Sequence, residues 1–403
     1  MSSLCRLDNG EKVFNVRLPL LDAKYLRGKS SETIMDTGIL VNKDDYIILV
    51  DGENSGEVFK APICGIMGTT FKKLYITTNI YNEYILYLLK YYQKMFRNSK
   101  RGAAIPHLDK RLLANLMVGL PPISEQKRIV SEIEKIFAEI EVVKTNQEEL
   151  SKLKDGLKNK ILDLAIQGKL VRQDPNDEPA SVLLEKIRAE KQELIKQGKI
   201  KKDKQESYIF KGTDNRHYEK IGTETKDITD EIPFEIPESW SWCRLGSVVN
   251  YGETKAVTYS ECDKNLWILD LEDIEKDSSK ILCKNRIRDK PFKSTKKTFQ
   301  KGDVLYSKLR PYLNKVVVAD ENGVCTSEIL PLRAYYGMEA TYLQYCLKSH
   351  YFYQYVNQLT YGVKMPRLGT EDGKKGLIPI PPLNEQQKII QKLSKIQEII
   401  EVL

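Results

Sequence analysis

Apolar residues along this chain follow two different rhythms. In two stretches they fall at Ile129, Ile133, Ile136, Ile140 and Val143, and again at Ile389, Leu393, Ile396, Ile400 and Leu403. Both series step by +4, +3, +4, +3, the seam of a helix that packs along another helix. The two helices are also introduced alike, by PPISEQ from Pro121 and PPLNEQ from Pro381. The diproline bars the preceding segment from running into the helix. Ser124 or Asn384 then supplies a cap, and Glu125 or Glu385 faces the positive end of the helix dipole. The first helix is predicted to run on through Leu150, Leu157, Ile161 and Leu164 to a stop at Gly168. From Ser124 to Gln167 that is 44 residues, or roughly 65 Å. Such a seam needs a partner helix, which the second copy supplies.

Elsewhere the pattern is short β-type runs broken by turn residues, as in DYIILVDGENSGEV, GDVLYSK and NKVVVADENGV, the last with a DENG turn between apolar segments. One strong helix is expected in each such block, at Glu83–Met95 and Ala340–Gln354. The blocks repeat one another. GAAIPHLDKRLLANLMVGLPP (Gly102 to Pro122) aligns without a gap on GVKMPRLGTEDGKKGLIPIPP (Gly362 to Pro382), and DDYIILV (Asp44–Val50) resembles GDVLYSK (Gly302–Lys308). The chain therefore reads as a duplication, not a solenoid. The expected divisions are a first globular domain at 1–121, a long helix at 122–170, a short helix and polar linker at 171–230, a second globular domain at 231–382 and a short terminal helix at 383–403. The linker assignment rests on Lys199–Asp227, which is charged and aperiodic. The fold class is α+β.

Dividing the charge sharpens this picture. Residues 1–121 carry 17 Lys+Arg against 12 Asp+Glu, and residues 231–383 carry 22 against 19, while residues 122–230 balance at 22 each. The positive excess thus sits in the two globular blocks, as a polyanionic partner would favour, although ordinary solubility charge gives the same balance. Seven scattered cysteines without CxxC spacing argue for a reduced, cytoplasmic protein without disulfides or structural zinc. No run of about 18 apolar residues marks a membrane span. A search for chemistry finds nothing coherent. GKS at Gly28–Ser30 lacks the upstream glycine of a phosphate loop, since position 23 is Ala23. His107, His217 and His350 are not at metal-ligand spacing. No catalytic or metal-binding residues are assigned, which favours a binding or assembly role.

Several stretches together carry a family resemblance: GAAIPHLDKRLLANLMVGLPPISEQKRIV, LKNKILDLAIQGKLVRQDPNDEPASVLLEKIRAEKQELIKQGKIKKDK, EIPFEIPESWSWCRLG, GDVLYSKLRPYLNKVVVADENGVCTSEIL and PIPPLNEQQKII. The chain resembles the specificity subunit of type I restriction–modification enzymes. The resemblance implies two target-recognition domains in pseudo-twofold arrangement, joined by long antiparallel coiled-coil helices. Each domain would read one half of an asymmetric, bipartite site on double-stranded DNA, and the helices would set the spacing and dock methyltransferase subunits. The specificity subunit itself would catalyse nothing and hold no cofactor. S-adenosylmethionine would belong to the methyltransferase, and ATP and magnesium to a translocating nuclease subunit. A type II enzyme that borrows such a subunit, and a coiled-coil scaffold with protein-binding ends, remain alternatives.

Phosphates call for Lys, Arg and small donors, and base edges for Arg, Lys, Asn, Gln or Ser on loops. The candidates are Lys29, Ser30, Lys60, Arg97, Lys100 and Arg101 in the first domain, and Ser307, Lys308, Arg310, Tyr312, Lys364 and Arg367 in the second. The competing reading pairs Arg97 or Arg310 with a local carboxylate such as Asp109 or Asp303.

Overall fold

The computed structural model describes residues 1–98, 107–200, 206–362 and 364–402. The chain divides into two compact units, Met1–Glu148 and Glu149–Leu403, and each is described by itself.

In the first unit the strands Cys5–Asp8, Phe71–Ile76, Tyr46–Leu49 and Val58–Lys60 lie side by side in that order, antiparallel throughout. The helix Asn82–Asn98 buries Tyr84, Ile85, Leu89 and Phe96 in the core that includes Ile48 and Leu74 of this sheet. The second unit repeats the plan with Val249–Tyr251, Ile329–Ala334, Val304–Ser307 and Val316–Val318, again antiparallel throughout. Here the expected single helix Ala340–Gln354 is two, Ala340–Lys348 and His350–Leu359. They are broken at Ser349, whose backbone is extended and whose hydroxyl donates to Cys346 O at 2.5 Å. That hydroxyl and the Ser349 N–H satisfy a carbonyl at the helix end.

Around each frame the units diverge. The first adds a small closed barrel of Lys12–Leu21, Ile34–Val41 and Gly65–Met67. The second adds a five-stranded sheet with Trp267 set edge-on to Phe299. The DENG turn does not close a hairpin, because Val316–Val318 pairs with Val304–Ser307 whereas Gly323–Cys325 joins the five-stranded sheet.

One hydrogen-bond arrangement occurs in both units. Gln126 accepts from Tyr81 N–H at 3.0 Å and donates to Pro121 O at 2.8 Å. Gln386 accepts from Glu339 N–H at 2.9 Å and donates to Pro381 O at 3.3 Å. The hydroxyls of Tyr84 and Tyr342 donate to Gly119 O and Pro379 O, at 3.0 and 2.9 Å. A buried glutamine thus ties the diproline to the loop that opens the domain helix.

The long helix spans Ile123–Ile166 and the terminal helix Leu383–Val402. Inside the second unit they run antiparallel. Lys158 meets Glu401 at 2.6 Å, while Lys388 and Asn384, at the start of the terminal helix, reach Asp177. Leu162, Ala165 and Ile166 pack in one cluster with Ile389 and Leu393. The expected seam is therefore corrected in part. Ile389, Leu393 and Ile400 are buried and Ile396 half-buried, but their partners lie at the far end of the long helix. Ile129 and Ile133 are half-buried, and Ile136, Ile140 and Val143 are about half exposed. The described terminal helix reaches back only to the level of Lys158. Leu403 lies outside the described residues.

The linker expectation also needs correcting. Ser207–Lys211, His217–Ile221 and Glu224–Asp227 form a three-stranded antiparallel sheet. Its inner face carries Glu219, buried and held bidentately by Arg244. Its other face stacks Phe210 on Tyr218. A charged segment folds here because one remote arginine neutralises its buried carboxylate.

Replacing Gln386 by Leu would orphan the half-buried Glu339 N–H and the buried Pro381 O. The second unit should lose about 2–6 kcal/mol, at 1–3 kcal/mol for each orphaned group, read as a drop in its urea midpoint. Gln126→Leu should cost the first unit a similar amount.

Candidate nucleic-acid interface

The loop from Ser307 to Lys315 leaves one edge of the second unit's sheet and is built on two left-handed residues, Arg310 (φ 49°) and Asn314 (φ 47°). They bracket a single turn at Pro311–Leu313. Left-handed backbone is costly for residues other than glycine and persists only where neighbours impose it. Here Arg310 N–H donates to Pro366 O at 2.7 Å, and Leu309 faces Arg367 in an antiparallel bridge. Asn314 O accepts from the Ser279 hydroxyl at 3.0 Å. Lys315 is turned inward onto Leu271 O at 2.7 Å, and burial lowers its pKa.

This framework sorts the candidates. Lys308, Arg310 and Lys364 have no carboxylate partner among the described residues. Arg310 Nε is buried without a hydrogen-bond partner, and its terminal nitrogen reaches only Lys364 O at 3.5 Å. Tyr312 is exposed nearby, as are Tyr361 and Met365. Lys297, which sequence reasoning passed over, belongs with this group. Burial, and then the charge of Lys308, lowers its pKa, and it donates to Gly252 O. Two candidates are engaged within the protein. Ser307 is 2% exposed and its hydroxyl donates to Leu309 O, so it shapes the turn and does not meet solvent. Arg367 is engaged by both oxygens of Glu328. The alternative pairing of Arg310 with Asp303 does not occur, since Asp303 is clasped by Arg333 at 2.8 and 2.9 Å.

The first unit has a loop at the same place in the repeat. Gly52 (φ 101°) and Gly56 (φ 92°) stand where Arg310 and Asn314 stand, and Leu108 N–H donates to Val50 O as Leu368 N–H does to Lys308 O. Its chemistry is opposite, with Asp51 bonded to His107 at 2.6 Å and Glu57 paired with Arg27. Lys29 and Ser30 are exposed beyond a short helix, Ala23–Leu26, capped by Asp22. Lys60 is paired with Asp44 at 3.1 Å, with both groups exposed. Arg97 is exposed near the end of the helix Asn82–Asn98. Lys100 and Arg101 lie outside the described residues. Lys12 and Arg17, exposed on the barrel strand Lys12–Leu21, add charge that the sequence reading missed. Only strand alternation could have flagged them.

Residues 5–152 and 237–403 match the family described as type I restriction modification DNA specificity domain. The chain belongs to that family. As a type I specificity protein it takes the DNA-recognition role in a restriction–modification system. It is 26% identical over 399 residues to the MjaVIII specificity subunit of Methanocaldococcus jannaschii, covering 95% of this chain and 80% of that one. It is 25% identical over 320 residues to the EcoDI specificity subunit of Escherichia coli, covering 79% and 63%. Against the EcoAI specificity subunit of Escherichia coli the identity is 31% over 254 residues, covering 60% of this chain and 39% of the relative. The fold is shared with the HsdS subunit of Thermoanaerobacter tengcongensis (TM-score 0.52, 16% identity, 100% and 88% covered). It is shared also with a chain from a structure of type I restriction–modification complex assembly and conformational transition (TM-score 0.57, 16% identity, 100% and 90% covered). Among the described residues no cluster of His, Cys, Asp or Glu is arranged to hold a metal ion, and no helix is long and apolar enough to cross a membrane.

Arg310→Gly relieves left-handed strain of about 1 kcal/mol and loosens the unfolded chain by a comparable amount. Its unfolding free energy from urea titration should therefore match the parent within about 1 kcal/mol. A loss of more than about 2 kcal/mol would mean that the side chain, and not the backbone contacts, holds the loop.

Proposed function

We propose that the two units are target-recognition domains, each reading one half of a split, asymmetric sequence in double-stranded DNA, and that the chain performs no chemistry itself. The observation that carries this reading is one sheet-and-helix frame presented twice with unlike corner loops, glycine and acid in one unit and Lys308, Arg310 and Lys364 in the other. A shared frame gives both units the same kind of approach to a duplex. Unlike loops give them different bases to favour. Arg310 suits a guanine edge, because among the described residues the terminal nitrogens of its guanidinium make only one long bond, to Lys364 O at 3.5 Å. Lys308 and Lys364 suit flanking phosphates. The paired helices would set the unspecified gap and dock methyltransferase subunits, which hold S-adenosylmethionine. A translocating nuclease subunit would bring ATP and magnesium.

The test is selection from a random duplex library by the chain assembled with its methyltransferase. The parent complex should return two defined half-sites. Converting Lys308, Arg310 and Lys364 together to Ala should erase one half-site and leave the other. It should also flatten the dependence of log affinity on log salt by about 2, at roughly 0.9 for each of the two phosphates no longer neutralised. Failure to select any split motif, or loss of both half-sites together, would defeat the proposal.

A further inference from the structure

The barrel of the first unit carries an irregularity that its core does not require. Strands Lys12–Leu21 and Ile34–Val41 pair with Phe14 opposite Thr37 and Leu18 opposite Met35, so Asn15, Val16 and Arg17 stand against Asp36 alone. Asn15 is left-handed there, at φ 56°. On either side of this bulge the strands are anchored. Leu21 and Val41 are buried with Met67 and Phe71, and the Thr37 hydroxyl donates to Val13 O at 3.1 Å. Among the described residues the third barrel strand, Gly65–Met67, pairs only with Leu20–Leu21 and Ile39–Val41. Val13–Leu18 and Met35–Gly38 are therefore a ribbon two strands wide.

The bulge presents polar groups beside one exposed ring. Phe14 is 64% exposed, and Asn15 and Arg17 are exposed on the same stretch. Among the described residues the side chains of Asn15 and Arg17 bond to nothing. Lys12 lies over the Phe14 ring at 5.0 Å, and neither Lys12 nor Arg17 pairs with the nearby acids Glu11 and Asp36. A left-handed residue other than glycine costs backbone energy, and no burial at Asn15 returns it. Bulges re-aim side chains. Those aimed outward here are of the types that meet base edges and thymine methyl groups. An added protein strand suits this edge less well, because the bulge interrupts the ladder that such a strand would extend.

This inference rests on the function proposed above: if each unit reads a half-site, the first needs a reading element, and its corner loop supplies acid and glycine. We propose that the bulged ribbon is that element, entering the major groove with Asn15 and Arg17 on base edges, Phe14 against a thymine methyl and Lys12 on a flanking phosphate. A two-stranded ribbon fits the major groove, about 12 Å wide. Asn15 suits adenine and Phe14 suits thymine, so the half-site read by the first unit should include an A·T pair.

The test uses the full chain assembled with its methyltransferase and a random duplex library. The first unit's half-site is the one that survives conversion of Lys308, Arg310 and Lys364 to Ala. Asn15→Gly keeps the left-handed backbone and removes the amide, so it should relax one position of that half-site by about tenfold. Arg17→Ala should relax another position by a similar factor. Neither should alter the second half-site or the urea midpoint. Replacing each thymine of the first half-site in turn by deoxyuridine removes only a methyl group. At one position this should weaken the parent by about threefold to fivefold, and Phe14→Ala should be indifferent to it. The inference is overturned if a split motif is selected and these variants leave its first half-site intact, or if that half-site lacks an A·T pair. It is overturned equally if deoxyuridine costs the parent and Phe14→Ala the same. Variants that lose the methyltransferase while keeping both half-sites would assign the ribbon to a protein partner, against the proposal. A parent that selects no split motif defeats the proposed function, and the ribbon's role with it.

Discussion

Each unit depends on a buried glutamine. Gln126 and Gln386 sit one residue beyond the glutamate that opens a helix, and each bridges the diproline ahead of it to the backbone N–H that starts the domain helix. Among the described residues both bonded backbone groups are otherwise without a partner, so the side chain is obligatory and no apolar substitute can serve. The direction of the long helix as it leaves the first unit, and of the terminal helix as it leaves the second unit's sheet, is set by these two pairs of bonds. Tyr84 and Tyr342 reinforce the same junction from the domain side.

With the junction fixed, the loops can vary freely. The corner after Tyr46–Leu49 and the corner after Val304–Ser307 place positive-φ residues at the same two positions, Gly52 and Gly56 in one and Arg310 and Asn314 in the other. Backbone contacts from the segment before the next helix enforce the geometry in both. Side-chain identity at the corner is thereby released from structural duty, which a recognition loop requires.

The sequence made some features plain and hid others for physical reasons. The helices Ile123–Ile166 and Leu383–Val402 were legible because diproline, cap and seam all act locally. The duplication was legible because Leu108 and Leu368, and Pro106 and Pro366, keep one spacing. The role of Gln126 and Gln386 was not, since a glutamine in the first turn of a polar helix reads as a solvated residue. Nor was the inward turn of Ser307, whose hydroxyl is claimed by a carbonyl two residues on. The sheet Ser207–Asp227 was misjudged as linker for a different reason. Its hold comes from Arg244, 25 residues beyond Glu219, and no local pattern carries that information. The partners of the terminal helix were missed because burial on a helix depends on what lies opposite, and Leu162 and Ile166 were as apolar as Ile136 and Ile140.

The short strand Ser241–Arg244 has two attachments. On one side it is zipped to Leu377–Ile380, which leads directly into the terminal helix, and at its last residue it grips Glu219 of the three-stranded sheet. Strand and arginine together work as a common hinge pin for two leaves of the molecule. Loosening the pin frees both leaves at once, so the protease sensitivity of an outlying charged hairpin becomes a gauge of how firmly the terminal helix is seated.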